Sequence, residues 1–150
     1  MHQALYDSVS GTQYRRAGAL AAVCMLVATA CFPWSGGEHA LDGPYALYAT
    51  DVPAQMELVY AVGRDAYVQR VPATVFAAGW DANHIIVKRH PGGDRTRTEY
   101  YILDRRRDGP YAEPARSVVG PLTATEFAAR RAELGVARSL DFRLTLHNLE

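Results

Sequence analysis

The chain has 150 residues, and its 16 Lys and Arg residues balance its 16 Asp and Glu residues. Apolar residues make up 49% of the chain, which is typical of a globular protein and excludes a disordered or collagen-like one. The length predicts one domain, and the zero net charge argues against a nucleic-acid-binding protein, which needs a basic face to neutralise phosphates.

The first 30 residues are predicted to be a signal peptide. Arg15 and Arg16 precede an apolar stretch, 17–32, that ends in small residues, and this order is the layout of a secretory signal. The stretch has 16 residues, six of them Ala, whereas a membrane-spanning helix needs about 20 predominantly apolar residues. A cleaved signal helix is therefore favoured over a permanent span.

The end of this stretch carries the predicted cleavage site. Ala28, Thr29 and Ala30 followed by Cys31 resemble the lipobox of bacterial lipoproteins, although Leu is usual where Ala28 stands. In those proteins the cysteine thiol is diacylated and the chain is cut immediately before it, so the resemblance implies lipid attachment at Cys31. The alternative is an ordinary Ala-x-Ala signal-peptidase site, which releases a secreted protein beginning at the same cysteine.

Cleavage before Cys31 sets the expected domain organisation and location. Residues 31–41, which include Pro, Ser and two Gly residues, are predicted to be a flexible lipid-anchored tether, and 42–150 a single β-rich domain. Cleavage removes Cys24, the other cysteine, so no disulfide and no cysteine metal site are expected. An Asp immediately after the acylated cysteine is an inner-membrane retention signal in enteric-type bacteria, and this chain has Phe32 at that position. In a host with two membranes we therefore expect the protein at the outer membrane, facing the periplasm.

Short runs rich in Val, Ile, Tyr and Thr alternate with turn residues along the rest of the chain. Most connections are short, which predicts antiparallel hairpins. Neither face of several runs is strongly polar, so some strands are expected to be covered on both sides. The predicted strands are 45–50, 55–62, 66–71, 74–79, 84–89, 97–104, 116–119 and 140–147.

One C-terminal helix is predicted between Thr123 and Gly135. Thr123 and Glu126 have the spacing of a capping box, and Gly135 suits the left-handed residue that ends a helix. Phe127 and Leu134 lie on one face and are expected to pack on the sheet. The predicted fold class is therefore mainly β, or α+β: an antiparallel meander curled into a small barrel or sandwich, with this helix packed on it.

Five short segments of the predicted domain stand out as a set. They read GPY at 43–45, TVFAAGWD at 74–81, IIVKRH at 85–90, YYILD at 100–104, and GPLT at 120–123 followed by EF at 126–127. Together they resemble a family of small bacterial lipoproteins of unknown function. The resemblance implies a secreted or lipid-anchored domain and brings with it no activity and no catalytic residues.

The sequence contains no motif that predicts catalysis or a cofactor. It has no Gly-rich phosphate loop, no Gly-x-Ser-x-Gly and no pair of carboxylates whose spacing brings them together. His84, Lys88 and His90 share a predicted strand near Asp81, but they lack the spacing of a zinc site, so chance placement on the surface is favoured over a metal site.

Two further patterns have a structural and a functional interpretation. The run Arg105–Arg107, flanked by two Asp residues, is interpreted as a solvated hairpin tip rather than a phosphate or lipid contact. The tyrosines of the predicted domain are expected to be core residues or cross-strand pairs, with a recognition surface as the alternative.

These observations predict a non-enzymatic lipoprotein of the bacterial cell envelope. Its β-rich domain is anchored to the membrane through Cys31 and binds a protein or cell-wall partner, without cofactor, metal or nucleic acid. The alternative is a periplasmic inhibitor or immunity protein that blocks a lytic or toxic enzyme by inserting a loop, for which 90–96 and 105–114 are the candidates. A small hydrolase is disfavoured.

Overall fold

The described part of the protein contains two antiparallel sheets and two α-helices. A computed structural model describes residues 37–150. The strands are β1 (Glu38–Ala40), β2 (Tyr45–Tyr48), β3 (Glu57–Gly63), β4 (Ala66–Val71), β5 (Val75–Trp80), β6 (His84–Arg89), β7 (Glu99–Asp104), β8 (Val118–Leu122) and β9 (Leu144–Thr145), and the helices are α1 (Pro114–Ser117) and α2 (Ala124–Glu133). One sheet has the order β1-β2-β3-β4, and the other has the order β8-β7-β6-β5-β9.

Apolar side chains from both sheets meet in one core. The four-stranded sheet contributes Leu47, Leu58 and Val71, and the five-stranded sheet contributes Val75 and Ile85, all almost completely buried. Burying one such side chain contributes about 1.5–3 kcal/mol. The described strands do not close into a barrel, so the mainly β prediction is confirmed as two sheets around a shared core.

The five-stranded sheet is covered on its second face by α2 and by the residues that follow it. Because successive side chains of a strand point to opposite faces, Ile85 and Val87 lie in the first core while Ile86 lies in a second. Ile86 packs there in a cluster with Phe127 and Leu140. This arrangement confirms that some strands are covered on both sides.

Lys88, the single lysine of the chain, lies on this second face. Its Nζ atom is 4.4 Å from the centre of the Phe142 ring and 5.8 Å from the centre of the Tyr100 ring. An ammonium group over an aromatic face contributes about 0.5–2 kcal/mol. Lys88 therefore helps to hold the C-terminal segment, which carries Phe142, against β6.

Helix α2 begins and ends where the sequence predicts. The Thr123 hydroxyl accepts a hydrogen bond from the Glu126 amide at 3.3 Å, and the Glu126 carboxylate accepts one from the Thr123 amide at 2.8 Å. These bonds to Thr123 hold the pKa of the Glu126 carboxyl below its usual value. Gly135 ends the helix with a φ of 67°, and Phe127 is the buried residue of α2, as predicted.

We expect Thr123→Ala to lower the free energy of unfolding by about 1 kcal/mol, because it removes the acceptor for an otherwise unpaired amide. Urea denaturation followed by circular dichroism measures the change. Thr125→Ala is the matched control, since Thr125 is exposed in the first turn of the same helix and Ala favours helix formation. An equal loss in both variants would contradict a capping role for Thr123.

Residues 38–40 form β1, whereas the sequence predicts that they belong to a flexible tether. The Ala49 amide donates to the Gly37 carbonyl at 3.0 Å, and the Leu41 amide donates to the Tyr45 carbonyl at 3.0 Å. Leu41 also packs against the first core. The tether prediction is therefore wrong for these residues, because pairing with β2 satisfies their backbone; residues 31–36 of the predicted tether lie outside the described part.

The C-terminal segment forms a much shorter strand than the alternation over 140–147 predicts. Only Leu144 and Thr145 pair with β5. The backbone of Asp141 crosses so close to Gly79 that a Cβ atom at this glycine would collide with the Asp141 carbonyl group. This close crossing replaces a regular ladder of hydrogen bonds.

The predicted strand 116–119 is shifted toward the C-terminus. Helix α1 begins with Pro114 at its first position, where the missing amide is not needed, and β8 starts only after it. β8 includes Pro121, which is tolerated because the strand lies at the edge of its sheet. Within residues 37–150, neither helix combines the length and the apolar character that crossing a membrane demands.

Candidate functional site

The loop between β7 and α1 presents the most exposed aromatic side chain of the described residues. This β7–α1 loop comprises residues 105–114, and the Tyr111 side chain within it is 95% exposed. Val52 and Val62 are the other large apolar residues with high exposure, at 47% and 41%. Aromatic side chains are enriched in protein interfaces, so Tyr111 makes this loop the candidate site.

The base of the loop is fixed by Asp108, whose side chain is completely buried. Nε of Arg70, which is also completely buried, donates to both carboxylate oxygens at 2.9 and 2.8 Å. The carboxylate also accepts hydrogen bonds from the Tyr45 hydroxyl at 3.0 Å and from the Ser117 hydroxyl at 3.1 Å. Three elements, β4, β2 and α1, therefore hold one loop residue in place.

Arg70 also contacts the loop backbone directly. Its Nη2 atom donates to the Gly109 carbonyl at 2.7 Å, and its guanidinium lies 5.2 Å from the centre of the Tyr60 ring. Hydrogen bonds from a charged donor are roughly twice as strong as those between neutral groups. One buried cation, the Arg70 guanidinium, therefore holds both the Asp108 carboxylate and the Gly109 carbonyl group in place.

Tyr45 stays protonated and acts as a hydrogen-bond donor in this cluster. Burial raises its pKa well above the usual value, and the negative charge of Asp108 raises it further. The ring packs edge-to-face against Tyr60 with 5.2 Å between ring centres, and the Arg105 guanidinium lies 5.3 Å from its centre. Packing and hydrogen bonding together keep the Tyr45 hydroxyl directed at Asp108.

The three arginines at the start of the loop have different environments. Arg105 is largely buried and pairs with Asp42 at 2.6 Å, so it belongs to the base of the loop. Arg106 is exposed and pairs with Asp104 at 2.9 Å, which lowers the pKa of the Asp104 carboxyl. Arg107 is exposed and makes no ion pair within residues 37–150. The solvated-tip prediction is therefore wrong for Arg105 and Asp108.

The arrangement combines a rigid base with an exposed tip. A loop whose backbone is already held in one conformation loses less conformational entropy on binding, so more of its contact energy appears as affinity. Tyr and Arg are the residue types enriched among energetically dominant interface positions, and the tip carries Tyr111 together with Arg107. Chemically, the loop is suited to binding a partner.

The two candidate metal-ligating histidines are buried, which corrects the expectation that they lie on the surface. His84 is 3% exposed and His90 is 4% exposed. The His90 ring stacks on Phe76 with 4.2 Å between ring centres, and its Nδ1 atom is 2.7 Å from the Arg97 carbonyl oxygen. In the part of the chain that the structure describes, no three His, Cys, Asp or Glu side chains are placed to hold a metal ion.

Most tyrosines have the structural roles that the sequence predicts. Tyr48 stacks on Tyr67 with 4.4 Å between ring centres, and Tyr100 stacks on Phe127 at 4.9 Å. Tyr111 is the exception, because its side chain is almost fully exposed to solvent. The predicted lipid-attachment residue Cys31, with Ala28, Thr29 and Ala30, lies outside the described residues.

A family model with the description "Protein of unknown function (DUF3997)" matches residues 43–148. The chain belongs to this family. The matched part of the family domain takes in β2 to β9, both helices and the whole β7–α1 loop. The predicted membership of a family of unknown function is thereby confirmed, and no curated protein and no solved structure matches the chain.

Proposed function

We propose that the chain is a non-enzymatic lipoprotein of the bacterial cell envelope that binds a protein partner through the β7–α1 loop. The observation that carries the binding role is Tyr111, an almost fully exposed aromatic on a loop whose base is held by a buried ion pair. The order of charged, apolar and small residues before Cys31 supports the envelope location and the lipid anchor. In a host with two membranes the anchor lies in the outer membrane, with the domain facing the periplasm.

The anchor has a direct test. Cells expressing the chain should incorporate radiolabelled palmitate into it and retain it with the membranes, and Cys31→Ala should abolish both. Cys24→Ala is the matched control, because this cysteine lies inside the predicted signal and should be dispensable for lipidation. Palmitate incorporation that survives Cys31→Ala would leave the lipobox interpretation without support.

A protein is the favoured class of partner because of the residues at the tip. Tyr111 supplies a large flat surface with few rotatable bonds, and Arg107 supplies a charge that no side chain within residues 37–150 neutralises. The neighbouring cations Arg105 and Arg106 are already paired with Asp42 and Asp104. The partner surface is expected to combine an apolar pocket for the ring with an acidic group for Arg107.

The binding role is tested by crosslinking in cells. A photoreactive phenylalanine analogue at position 111 should give one protein adduct of defined mass, while the same analogue at Val52 should give none. Val52 is the matched control because it is also apolar and exposed but lies in the connection between β2 and β3, outside the loop. Equal adducts at both positions would contradict a specific site, and an adduct released by a muramidase rather than a protease would indicate a cell-wall partner.

An inhibitor or immunity protein is the second candidate function, and the same loop favours it. Inhibitors that insert a loop into an enzyme change little in backbone conformation on binding, and the ion pair of Arg70 and Asp108 gives the β7–α1 loop that property. If the adduct at position 111 contains a lytic or toxic enzyme, the purified chain should inhibit it. Tyr111→Ala should then weaken inhibition by about 10-fold or more.

A further inference from the structure

Gly37, which leads into β1, lies at one end of the described domain. The Ala49 amide donates to the Gly37 carbonyl at 3.0 Å. The Val75 amide donates to the Met56 carbonyl at 2.7 Å, which brings the start of the five-stranded sheet to the same end. We call this the proximal end; it consists of Gly37 and the connections 49–56, 72–74 and 90–98.

The β7–α1 loop lies at the opposite end. The Ala61 amide donates to the Pro44 carbonyl at 2.7 Å, and the Arg105 amide donates to the Asn83 carbonyl at 2.8 Å. The ion pair between Arg105 and Asp42 joins the two sheets there. We call this the distal end; it consists of the turns 42–44, 62–65 and 81–83 together with the loop 105–114.

The strands set the distance between the two ends. β6 runs from the turn 81–83 to the connection 90–98 and has six residues. A strand rises about 3.4 Å per residue, so the ends are about 20 Å apart. β1 runs the other way, from Gly37 at the proximal end toward Asp42 at the distal end.

The position of Cys31 limits how far the proximal end can lie from its lipid. Cys31 precedes Gly37 by six residues, and a fully extended chain spans at most about 3.6 Å per residue, or about 22 Å here. Turning the domain over would raise Gly37 about 20 Å above the headgroups. That orientation would require the intervening residues to be almost fully extended, which is entropically costly.

We infer that, in the anchored protein, the proximal end faces the bilayer and the β7–α1 loop faces away from it. This inference rests on the lipid anchor in the proposed function. Arg105, where the loop begins, then stands about 20 Å farther from the headgroups than the connections 49–56 and 90–98. The partner is therefore a protein whose contact surface lies beyond the headgroup layer. Such a protein is either soluble in the envelope or carries a domain that projects from a membrane. A protein confined to the bilayer is excluded.

Fluorescence quenching from the bilayer surface tests this orientation. The lipidated mature chain is purified with one added cysteine, Val52→Cys, Val62→Cys or Tyr111→Cys, labelled with a thiol-reactive fluorophore, and reconstituted into vesicles of phosphatidylethanolamine and phosphatidylglycerol. Val52 is at the proximal end, while Val62 and Tyr111 are at the distal end, and all three are exposed. The chain without an introduced cysteine gives the background labelling, because Cys31 is acylated and Cys24 is removed with the signal.

Lipids with a nitroxide on the headgroup should quench the label at position 52 several-fold more strongly than the labels at 62 and 111. Equal quenching at the three positions, or stronger quenching at 111, overturns the orientation while leaving the anchor and the partner site intact. Failure of the chain to associate with vesicles overturns the orientation together with the anchor. Crosslinking at position 111 measures partner binding independently of the quenching experiment. Loss of the binding role can therefore be distinguished from loss of the orientation and from loss of the anchor.

Discussion

Replacing Asp108 with Ala is expected to lower the free energy of unfolding by about 3–5 kcal/mol. The substitution leaves the Arg70 guanidinium completely buried without its counter-ion and removes the acceptor for the Tyr45 and Ser117 hydroxyls. An unpaired buried charge costs far more than the ion pair contributes when intact. Urea denaturation of the wild-type and variant chains measures the difference.

Two further variants make this result specific. Asp104→Ala removes a carboxylate whose partner, Arg106, is exposed and stays hydrated, so its effect should be much smaller. Arg70→Met combined with Asp108→Leu removes both charges and should be more stable than Asp108→Ala alone. If Asp108→Ala and Asp104→Ala are equally stable, Asp108 does not fix the base of the loop.

Phe127→Ala is expected to cost about 3–5 kcal/mol, the range for truncating a buried phenylalanine. Phe127 is the residue through which α2 enters the second core, and its ring lies 4.9 Å from that of Tyr100 and 6.1 Å from that of Phe142. The Arg131 guanidinium lies 5.5 Å from the centre of the same ring. The truncation therefore leaves a cavity between the helix, the sheet and the C-terminal segment.

Thermal and urea denaturation measure the loss, and Arg106→Ala is the control. Arg106 is exposed in the loop, so its removal should leave stability close to that of the wild type. A domain holds only about 5–15 kcal/mol of net stability, so Phe127→Ala should shift the transition visibly. Equal stability of the two variants would mean that α2 does not depend on this ring for its docking.

The parts of the fold that the sequence predicts well are those determined by nearby residues. The strands 66–71 and 84–89 have the predicted bounds, because turn residues on both sides delimit them. Helix α2 is equally local, since Thr123, Glu126 and Gly135 mark its two ends. The sequence does not predict β1 or the short pairing of the C-terminal segment, because their conformations depend on a neighbouring strand, β2 in one case and β5 in the other.

The candidate site depends on contacts that local patterns do not contain. Arg70 and Asp108 are separated by 38 residues, and each has an ordinary local interpretation: an outward-facing charge in a strand and a turn residue before glycine. Their pairing appears only when β4 and the β7–α1 loop are brought together. The exposure of Tyr111 was not predicted either, although Pro110 before it and Pro114 after it favour a loop at this position.

Lys88 gives the domain a built-in chemical reporter. Apart from the N-terminus, a reagent that acylates amines has a single target in the chain, and that target is half-buried between the rings of Phe142 and Tyr100. Detachment of the C-terminal segment from β6 removes the Phe142 ring from Lys88 and exposes the ammonium group to the reagent. The rate at which the chain acquires one acyl group therefore follows the opening of this side of the sheet, without an introduced probe.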